Sequence, residues 1–507
     1  MSGKPVFLLL CLLGFGTLSW SQIGFNKFYN QYSVIDNFAR MVIDNDTIIC
    51  IGIAYDTTIS PSPQQILMVK LDTFGNVIQT KLYKDSLNGY LSINYITGDI
   101  IQTSDGYFAF AVAVFGRSSM QIIQLDNSLN VKSAFEYSIG DNYNEFYEQI
   151  LEMPDGGFMI AGNASRPNLK KDGFVRRIDK DGNVLWFKYY GDYDKDESFR
   201  CMAKVSDNRI VLGGSNGPDF NNSQTARAGL WAIDSNGVVL DSWVGPNDPN
   251  LIVIIGLLPT PDGGFVANGR TYWGEGDWGS MVQVSLLKFD AALELQWLQH
   301  IGPNNSGYNG IYDMIPTPDG HYLVAGQRTA YGDLSLPSDD WGGWLYKFSE
   351  QGDSIWSRAD NAPPGYDATG AFVYGGVGVL SSGSIVAGGK GDIDDKFVGW
   401  VVKVTADGCM DTLFCYTSGL EEPSGETGLR VFPNPTTGLI EINIPPHHGG
   451  RLVVYNAHGQ KVTAHRLASG SLEIMLNLEH QPSGLYWAVF NDQAGKVLGS
   501  SRISIQR

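Results

Sequence analysis

Apolar residues in this chain gather into short, almost continuous runs, such as Phe158-Met159-Ile160-Ala161-Gly162, Arg209-Ile210-Val211-Leu212-Gly213-Gly214 and Tyr322-Leu323-Val324-Ala325-Gly326. A run of that kind suits a β-strand covered on both faces. Each is preceded by a polar turn signal. The fullest is Thr260-Pro261-Asp262-Gly263-Gly264, with close copies at Pro154-Asp155-Gly156-Gly157 and Pro318-Asp319-Gly320-His321 and weaker ones at Asp46, Asp105, Asp207 and Gly383. Pro presets φ, Asp bonds the backbone two residues on, and Gly takes the left-handed position that closes a hairpin. In the fourth copy, Asn208 stands where Gly is expected and is assigned the same conformation. Seven copies at intervals of roughly 50–64 residues predict a propeller.

A second anchor follows each first one. Examples are Lys70-Leu71-Asp72-Thr73-Phe74-Gly75-Asn76, Arg177-Ile178-Asp179-Lys180-Asp181-Gly182-Asn183 and Lys288-Phe289-Asp290. Each reads as a strand, a Gly- or Asn-containing turn and a further strand, often with Trp, as at Trp186, Trp297 and Trp356. The pattern predicts an all-β chain: a seven-bladed propeller of four-stranded blades over residues 22–416. Phe25-Asn26-Lys27-Phe28-Tyr29-Asn30 resembles the outer strand Trp186-Phe187-Lys188-Tyr189-Tyr190-Gly191 yet precedes the first unit, so it is expected to complete the seventh blade and leave no sheet edge free.

If the first-to-second and third-to-fourth connections are tight hairpins, the longer second-to-third and between-unit connections emerge together on the opposite rim. Binding is expected there. The aromatic and acidic residues of that rim concentrate in units five and six, where Tyr272, Trp273, Glu275, Asp277, Trp278, Tyr331, Asp339 and Trp341 form the candidate ligand site. Rings beside carboxylates suit stacking on a sugar, or an aromatic protein-binding hot spot. The plainer alternative is that the Trp residues pack loops onto blades.

Composition narrows the chemistry. The formal net charge is −18, and the acid excess lies in residues 22–428, while residues 429–507 carry more Lys and Arg than Asp and Glu. An acidic body disfavours nucleic acid and anionic membranes as partners. Of seven His, His447, His448, His458, His465 and His480 fall in the C-terminal module, leaving His300 and His321 for the repeats. That census argues against a Ser-His-Asp relay or a His-based metal site, so no metal is assigned. Asp192-Tyr193-Asp194-Lys195-Asp196-Glu197 and Asp392-Ile393-Asp394-Asp395 have calcium-loop character, but the first lacks Gly at its sixth position and Glu at its twelfth. Calcium is therefore weighed there against solvated loop charge.

Residues 1–21, with Lys4, an apolar Val6–Leu18 and Ser19-Trp20-Ser21, read as a secretory signal peptide. After its removal no transmembrane segment is expected. Cys50 and Cys201 lie in apolar runs and are expected to be buried hydrophobes. Cys409 and Cys415 are assigned to a disulfide, as an exported chain favours.

The PDGGFxxAG repeats with their KxD and Trp-bearing strand pairs resemble the secreted β-propeller repeats found upstream of type IX sorting domains. After a Gly/Ser/Glu/Pro linker, 417–428, residues 429–507 resemble the type A sorting domain of type IX secretion. The resemblance rests on Val431-Phe432-Pro433-Asn434-Pro435-Thr436-Thr437-Gly438, Val454-Tyr455-Asn456-Ala457-His458-Gly459-Gln460 and Pro482-Ser483-Gly484-Leu485-Tyr486-Trp487. Its motif residues map to Pro433, Asn434, Pro435, Gly438, Gly459, Gly484 and Tyr486. Alternating strands there predict a small Ig-like β-sandwich. The resemblance implies the type IX machinery as partner, passage through the outer membrane, and a secreted or cell-surface destination. Two functions stay open: a non-catalytic binding or scaffold propeller for a glycan or protein ligand, and a glycan-acting hydrolase using paired carboxylates.

Overall fold

A computed structural model describes residues 24–30, 36–55, 64–85, 90–93, 99–115, 119–138, 144–165, 171–192, 195–217, 226–246, 250–272, 282–302, 309–329, 341–363, 370–393, 396–410, 429–434, 436–444, 449–456, 461–470, 472–482, 484–492 and 497–505. They fall into two compact units.

The first is a closed seven-bladed propeller. Blades 1 to 7 begin at the innermost strands Asp36–Asp44, Tyr90–Ser92 with Ile100–Gln102, Asn144–Glu152, Asp196–Ser206, Asn250–Pro259, Gly310–Pro316 and Val373–Val379. Each innermost strand packs against the next, and the seventh packs against the first. Every blade is an antiparallel sheet in sequence order, except that the outermost strand of blade 7 is Phe25–Tyr29, paired with Lys396–Val404. Both ends of the repeat region thus share one blade, as the early Phe/Tyr strand predicted.

The hairpins follow from local chemistry. In Thr260-Pro261-Asp262-Gly263 the Gly263 amide donates to Thr260 O at 3.0 Å, Thr260 N donates to Gly264 O at 3.0 Å, and Gly263 takes φ +83°. In blades 3, 5 and 6 the two anchors are then tied by an ion pair. Arg177 meets Asp155 at 2.5 Å, Lys288 meets Asp262 at 2.7 Å and Lys347 meets Asp319 at 2.6 Å, each cation nearly buried and each Asp half-exposed. That bond gives a physical reason for the cation of the second anchor in these blades, while the Asp two residues on caps its own turn, as Asp290 does by accepting the Ala292 and Glu294 N–H groups.

Blade 4 departs from expectation. Ser206 pairs with Arg209, so Asp207-Asn208 form a two-residue turn, and Asn208 is not among the described non-glycine residues at positive φ, which are Asn45, Asp46, Leu129 and Leu293. Blade 1 closes Asp44 to Thr47 with a loop of the same length in which Asn45 and Asp46 are both left-handed, so blade 4 makes the same connection with a different turn. Conversely, the second-anchor turn of blade 5, Asp290 to Glu294, contains neither Gly nor Asn, and Leu293 holds the left-handed position.

The core lies between blades. Seven clusters of buried apolar side chains fill the seven seams: Ile49 and Ile51 against Phe108 and Phe110, for example, and Phe25, Tyr29 and Val401 against Leu67 and Val69. Full burial of one such side chain contributes about 1.5–3 kcal/mol, so the seams dominate stability. Cys50 and Cys201 are buried free thiols in them, pushed above the usual thiol range by desolvation.

Outer strands are latched to the next blade. Tyr29, Tyr83, Tyr137 and Tyr190 each donate their hydroxyl to the left-handed residue of the following blade's second-anchor turn, at Gly75, Leu129, Gly182 and Gly237. Trp297 reaches Glu350 O and Arg358 reaches Gly408 O in the same sense. At the seam of blades 4 and 5 the Trp243 ring meets Phe289 edge-on at 5.0 Å instead.

The second unit packs Arg430–Phe432, Leu439–Asn443 and Glu473–Asn477 in one sheet and Lys461–Leu467, Gly450–Asn456, Gly484–Asp492 and Val497–Ile505 in another. Ile440, Ile442, Leu452, Val454, Phe490 and Ile503 fill the space between them, the predicted small β-sandwich.

Candidate functional site

Tight hairpins gather on one rim of the propeller, and the between-blade connections gather on the other. Not every second-to-third connection is long, however. Those between Phe115 and Ser119 and between Ile393 and Lys396 are short, which corrects the expectation that this connection is extended in every blade and leaves blades 2 and 7 with little loop there.

Of the predicted ligand residues, Trp341 opens the third strand of blade 6 with its side chain 39% exposed. Its carbonyl accepts the Phe372 N–H at 2.7 Å and it bridges to Ala371, pinning the entry to blade 7. Tyr272 ends the second strand of blade 5, opposite Val282 and Asn250. Trp273, Glu275, Asp277, Trp278, Tyr331 and Asp339 lie outside the described residues, as do Asp333 and Asp340. Of the eight candidate residues, the described ones are Tyr272 and Trp341.

The axis holds charges that sequence reasoning passed over. The innermost strands of blades 1, 3, 4, 5, 6 and 7 carry β-bulges, at Ala39, Glu148, Arg200, Ile252, Ile255, Tyr312 and Gly375, and a bulge re-aims the side chains around it. Arg40 donates to Ala39 O at 3.0 Å and to Gly375 O at 2.7 Å. Asp313 accepts the Val377 N–H at 2.8 Å, and Glu148 meets Arg200 at 2.6 Å and Asn163 at 3.0 Å. Gln149 donates to Asp99 at 3.3 Å and accepts the Met202 N–H. Burial pushes the Asp313 carboxyl up to about 6 against the opposing pull of Arg40, raises Asp99, and lowers Arg40. These bonds cross four seams, which makes the axis a structural fastener. The signal for them was a lone charge inside each apolar strand, as in Phe38-Ala39-Arg40-Met41 and Ile311-Tyr312-Asp313-Met314.

On the hairpin rim, a cleft of about 500 Å³ between blades 2 and 3 is lined by Asp105, Lys132, Phe135, Glu152 and Lys180, among others. Three of its charges are engaged: Lys132 pairs with Asp105 at 3.1 Å, and Glu152 accepts Ser104 N–H and O–H at 2.7 and 2.9 Å. Among the described residues no three of His, Cys, Asp and Glu come together as metal ligands. No described helix is long and apolar enough to cross a membrane.

In the C-terminal unit the motif residues are architectural. Asn434 donates to Arg502 O at 2.6 Å and accepts the Ser504 N–H at 2.8 Å, clamping the first loop to the last strand beside the cis Phe432-Pro433 bond. Gly438 sits at φ +141°, where a Cβ would come within 2.6 Å of the Glu479 backbone. Tyr486 is buried and donates to Pro482 O at 2.9 Å, and Gly484 precedes it at the start of its strand. Pro435 and Gly459 lie outside the described residues.

Residues 430–505 match the secretion system C-terminal sorting domain. The chain therefore carries the address read by type IX secretion, and the protein is an exported one, secreted or displayed at the cell surface. No curated protein matches it. Among solved structures it resembles PorZ, described as an essential surface component of the type-IX secretion system of Porphyromonas gingivalis, at 12% identity and TM-score 0.31 over 92% of this chain and 69% of that one. It also resembles the β-propeller domain of the Trilobed protease from Pyrococcus furiosus, at 11% identity and TM-score 0.42, over 75% and 94%. A third likeness is to Penicillium chrysogenum α-L-arabinanase, at 10% identity and TM-score 0.40, over 62% and 94%. Likenesses this distant say nothing of ligand or reaction, and the propeller assignment rests on the sheet order above.

Proposed function

We propose that the exported chain is a non-catalytic binding propeller whose ligand, a glycan or a protein surface, docks on the rim opposite the hairpins, around blades 5 and 6. The observation that carries this reading is Trp341, a large indole left 39% exposed on that rim, flanked in sequence by the aromatic and acidic loop segments. An exposed Trp at the edge of a rigid ring suits stacking on a sugar face or anchoring a protein contact. The hydrolase reading needs two carboxylates that a sugar reaches. Asp172 and Glu197, whose carboxyls both border Gly191, are sealed at 1% and 2% exposure and do not offer a sugar such a pair.

The test is a glycan array and a surface-protein pull-down with the purified full chain, run beside a hydrolysis screen on the same sugars. Trp341→Ala should lose binding while melting like the parent. Sugar cleavage by the parent, or binding unchanged in the variant, would overturn the reading. The further assignments belong to the same proposal: residues 1–21 as signal peptide, 22–416 as propeller, 417–428 as linker, and a Cys409–Cys415 disulfide at the exit of blade 7. Cys409 is buried there, and Cys415, the signal segment and the linker lie outside the described residues.

A further inference from the structure

The two sheets of the C-terminal unit are charged unequally. In the four-stranded sheet Leu452, Val454, Ala488, Phe490 and Ile503 are buried in the sandwich, so Arg451, Tyr455, Trp487 and Arg502, which alternate with them, point outward. The register sets Lys461 opposite Tyr455, Tyr455 opposite Trp487 and Trp487 opposite Arg502, a row of cation, ring, ring and cation across all four strands. At the other end of Gly450–Asn456, Arg466 stands opposite Arg451 on the same face. The four cations are exposed and the two rings half-buried. Among the described residues none of the four cations has an ion pair. The described carboxylates of this unit, Glu441, Glu473 and Glu479, belong to the strands of the other sheet or follow them directly.

Directly opposed like charges weaken a sheet, so the Arg451–Arg466 pair does nothing for the sandwich behind it, and carboxylates brought by a partner relieve it. Arg, Trp and Tyr are also the residues on which protein interfaces concentrate their energy, and a cationic patch steers and orients an acidic surface. Because residues 430–505 match a secretion system sorting domain, what reads this unit is a secretion component. The net charge of the whole chain is −18, yet residues 429–507 hold 7 Lys and Arg against 4 Asp and Glu. An acidic partner is therefore repelled by the body and drawn to this sheet. We propose that the outer face of the four-stranded sheet is the surface by which the sorting domain is read, and that it docks on an acidic protein surface of the type IX machinery. Tyr455 and Trp487 form the centre of that face, with Arg451, Lys461, Arg466 and Arg502 around them.

The experiment compares full chains in the cells that export them, by fractionation, beside melting curves of the purified proteins. A variant with Arg451→Glu, Arg466→Glu and Arg502→Glu together should melt close to the parent. Its surface fraction should nevertheless fall by about tenfold or more, the scale on which interfacial charge pairs act, with the missing protein in the periplasm. Lys at the same three positions should be delivered like the parent, and so should Glu473→Gln on the other sheet. Should the triple variant fail to fold, Arg466→Glu alone, on an edge strand, decides by the same periplasmic retention. Vesicles of phosphatidylethanolamine carrying lipopolysaccharide offer a competing anion, and the parent should not bind them through these residues. Normal delivery of a folded Glu variant, retention of the Lys variant, or retention of Glu473→Gln would overturn the docking face. Vesicle binding by the parent that the Glu variant loses would overturn the protein partner and assign the face to an anionic lipid headgroup.

Discussion

Leu293 is 4% exposed and sits at φ +61°, in a turn position that blade 2 gives to Leu129 and the remaining blades give to Gly. The left-handed conformation costs a Leu roughly 1–2 kcal/mol. Deleting a buried Leu side chain costs about 2–5 kcal/mol. Burial outweighs strain, so Leu293→Gly should destabilise by about 1–3 kcal/mol in urea unfolding; a stabilised variant would show that strain dominates. Titration is a second residue-scale matter. Burial raises Asp313 to about 6 and Glu197 to about 7, above the unfolded values of about 3.9 and 4.3. The native chain holds these protons more tightly than the unfolded one, so their stabilisation is complete below about pH 4 and is lost as pH rises through 6 and 7. Asp262 and Asp319 have the opposite sign. The Lys288 hydrogen bond holds Asp262 at about 2, and Lys347, against the opposing effect of burial, holds Asp319 there as well. Their contribution is present above the unfolded value and is lost as pH falls toward 2. Melting in EDTA should therefore rise from pH 8 to about pH 5 and fall below about pH 4, and Asp313→Asn should flatten the upper limb. A melting temperature that rises from pH 5 to pH 8 would contradict the burial of these two groups.

Among elements, the outer strands carry a role that their exposure hides. They are among the least buried strands of the propeller, yet in blades 1, 2, 3 and 7 a Tyr near the strand end spans the seam. In Tyr83→Phe the Leu129 carbonyl loses its donor in a buried setting, which should cost about 1–2 kcal/mol, whereas Lys81→Ala on the same strand, an exposed contact to Asn130, should cost much less. Equal effects would mean that the latch is incidental. The closing strand, Phe25–Tyr29, buries Phe25 and Tyr29 and pairs with Lys396–Val404 along its whole length. Removing residues 22–34 should expose that edge and lower the melting temperature of the entire ring. An unchanged temperature would mean that the ring holds without closure.

At the scale of the whole molecule, the two units divide the labour of address and body. Deleting residues 429–507 removes the matched sorting segment, and the truncated chain should accumulate in the periplasm as a folded propeller. Fractionation with a melting curve checks both halves of that statement, and normal surface delivery would refute it. The proposed Cys409–Cys415 disulfide closes a short loop, so its loss should cost only ~2–3 kcal/mol in the chain-entropy model. Mass mapping of exported protein that finds both thiols free would dispose of it.

Turn chemistry acts over a few residues, which is why the sequence alone determined the seven repeats, the hairpins, the closing strand and the sorting segment. Pro261-Asp262-Gly263-Gly264 folds as written because its donors and acceptors are its own neighbours. Sequence also marked Trp341 and the loops around it, since aromatic and acidic residues in a long connection have no use in a hairpin. Only the tertiary structure decided the rest. Arg40, Glu148 and Asp313 act on one another electrostatically because bulges on separate strands turn them to one axis, and Asp172 lies near Glu197 because two blades abut at Gly191. Leu293 adopts a Gly conformation because the adjoining seam encloses its side chain. These outcomes depend on contacts between residues far apart in the chain, and a local reading of side-chain chemistry carries no term for a neighbour that arrives from another blade.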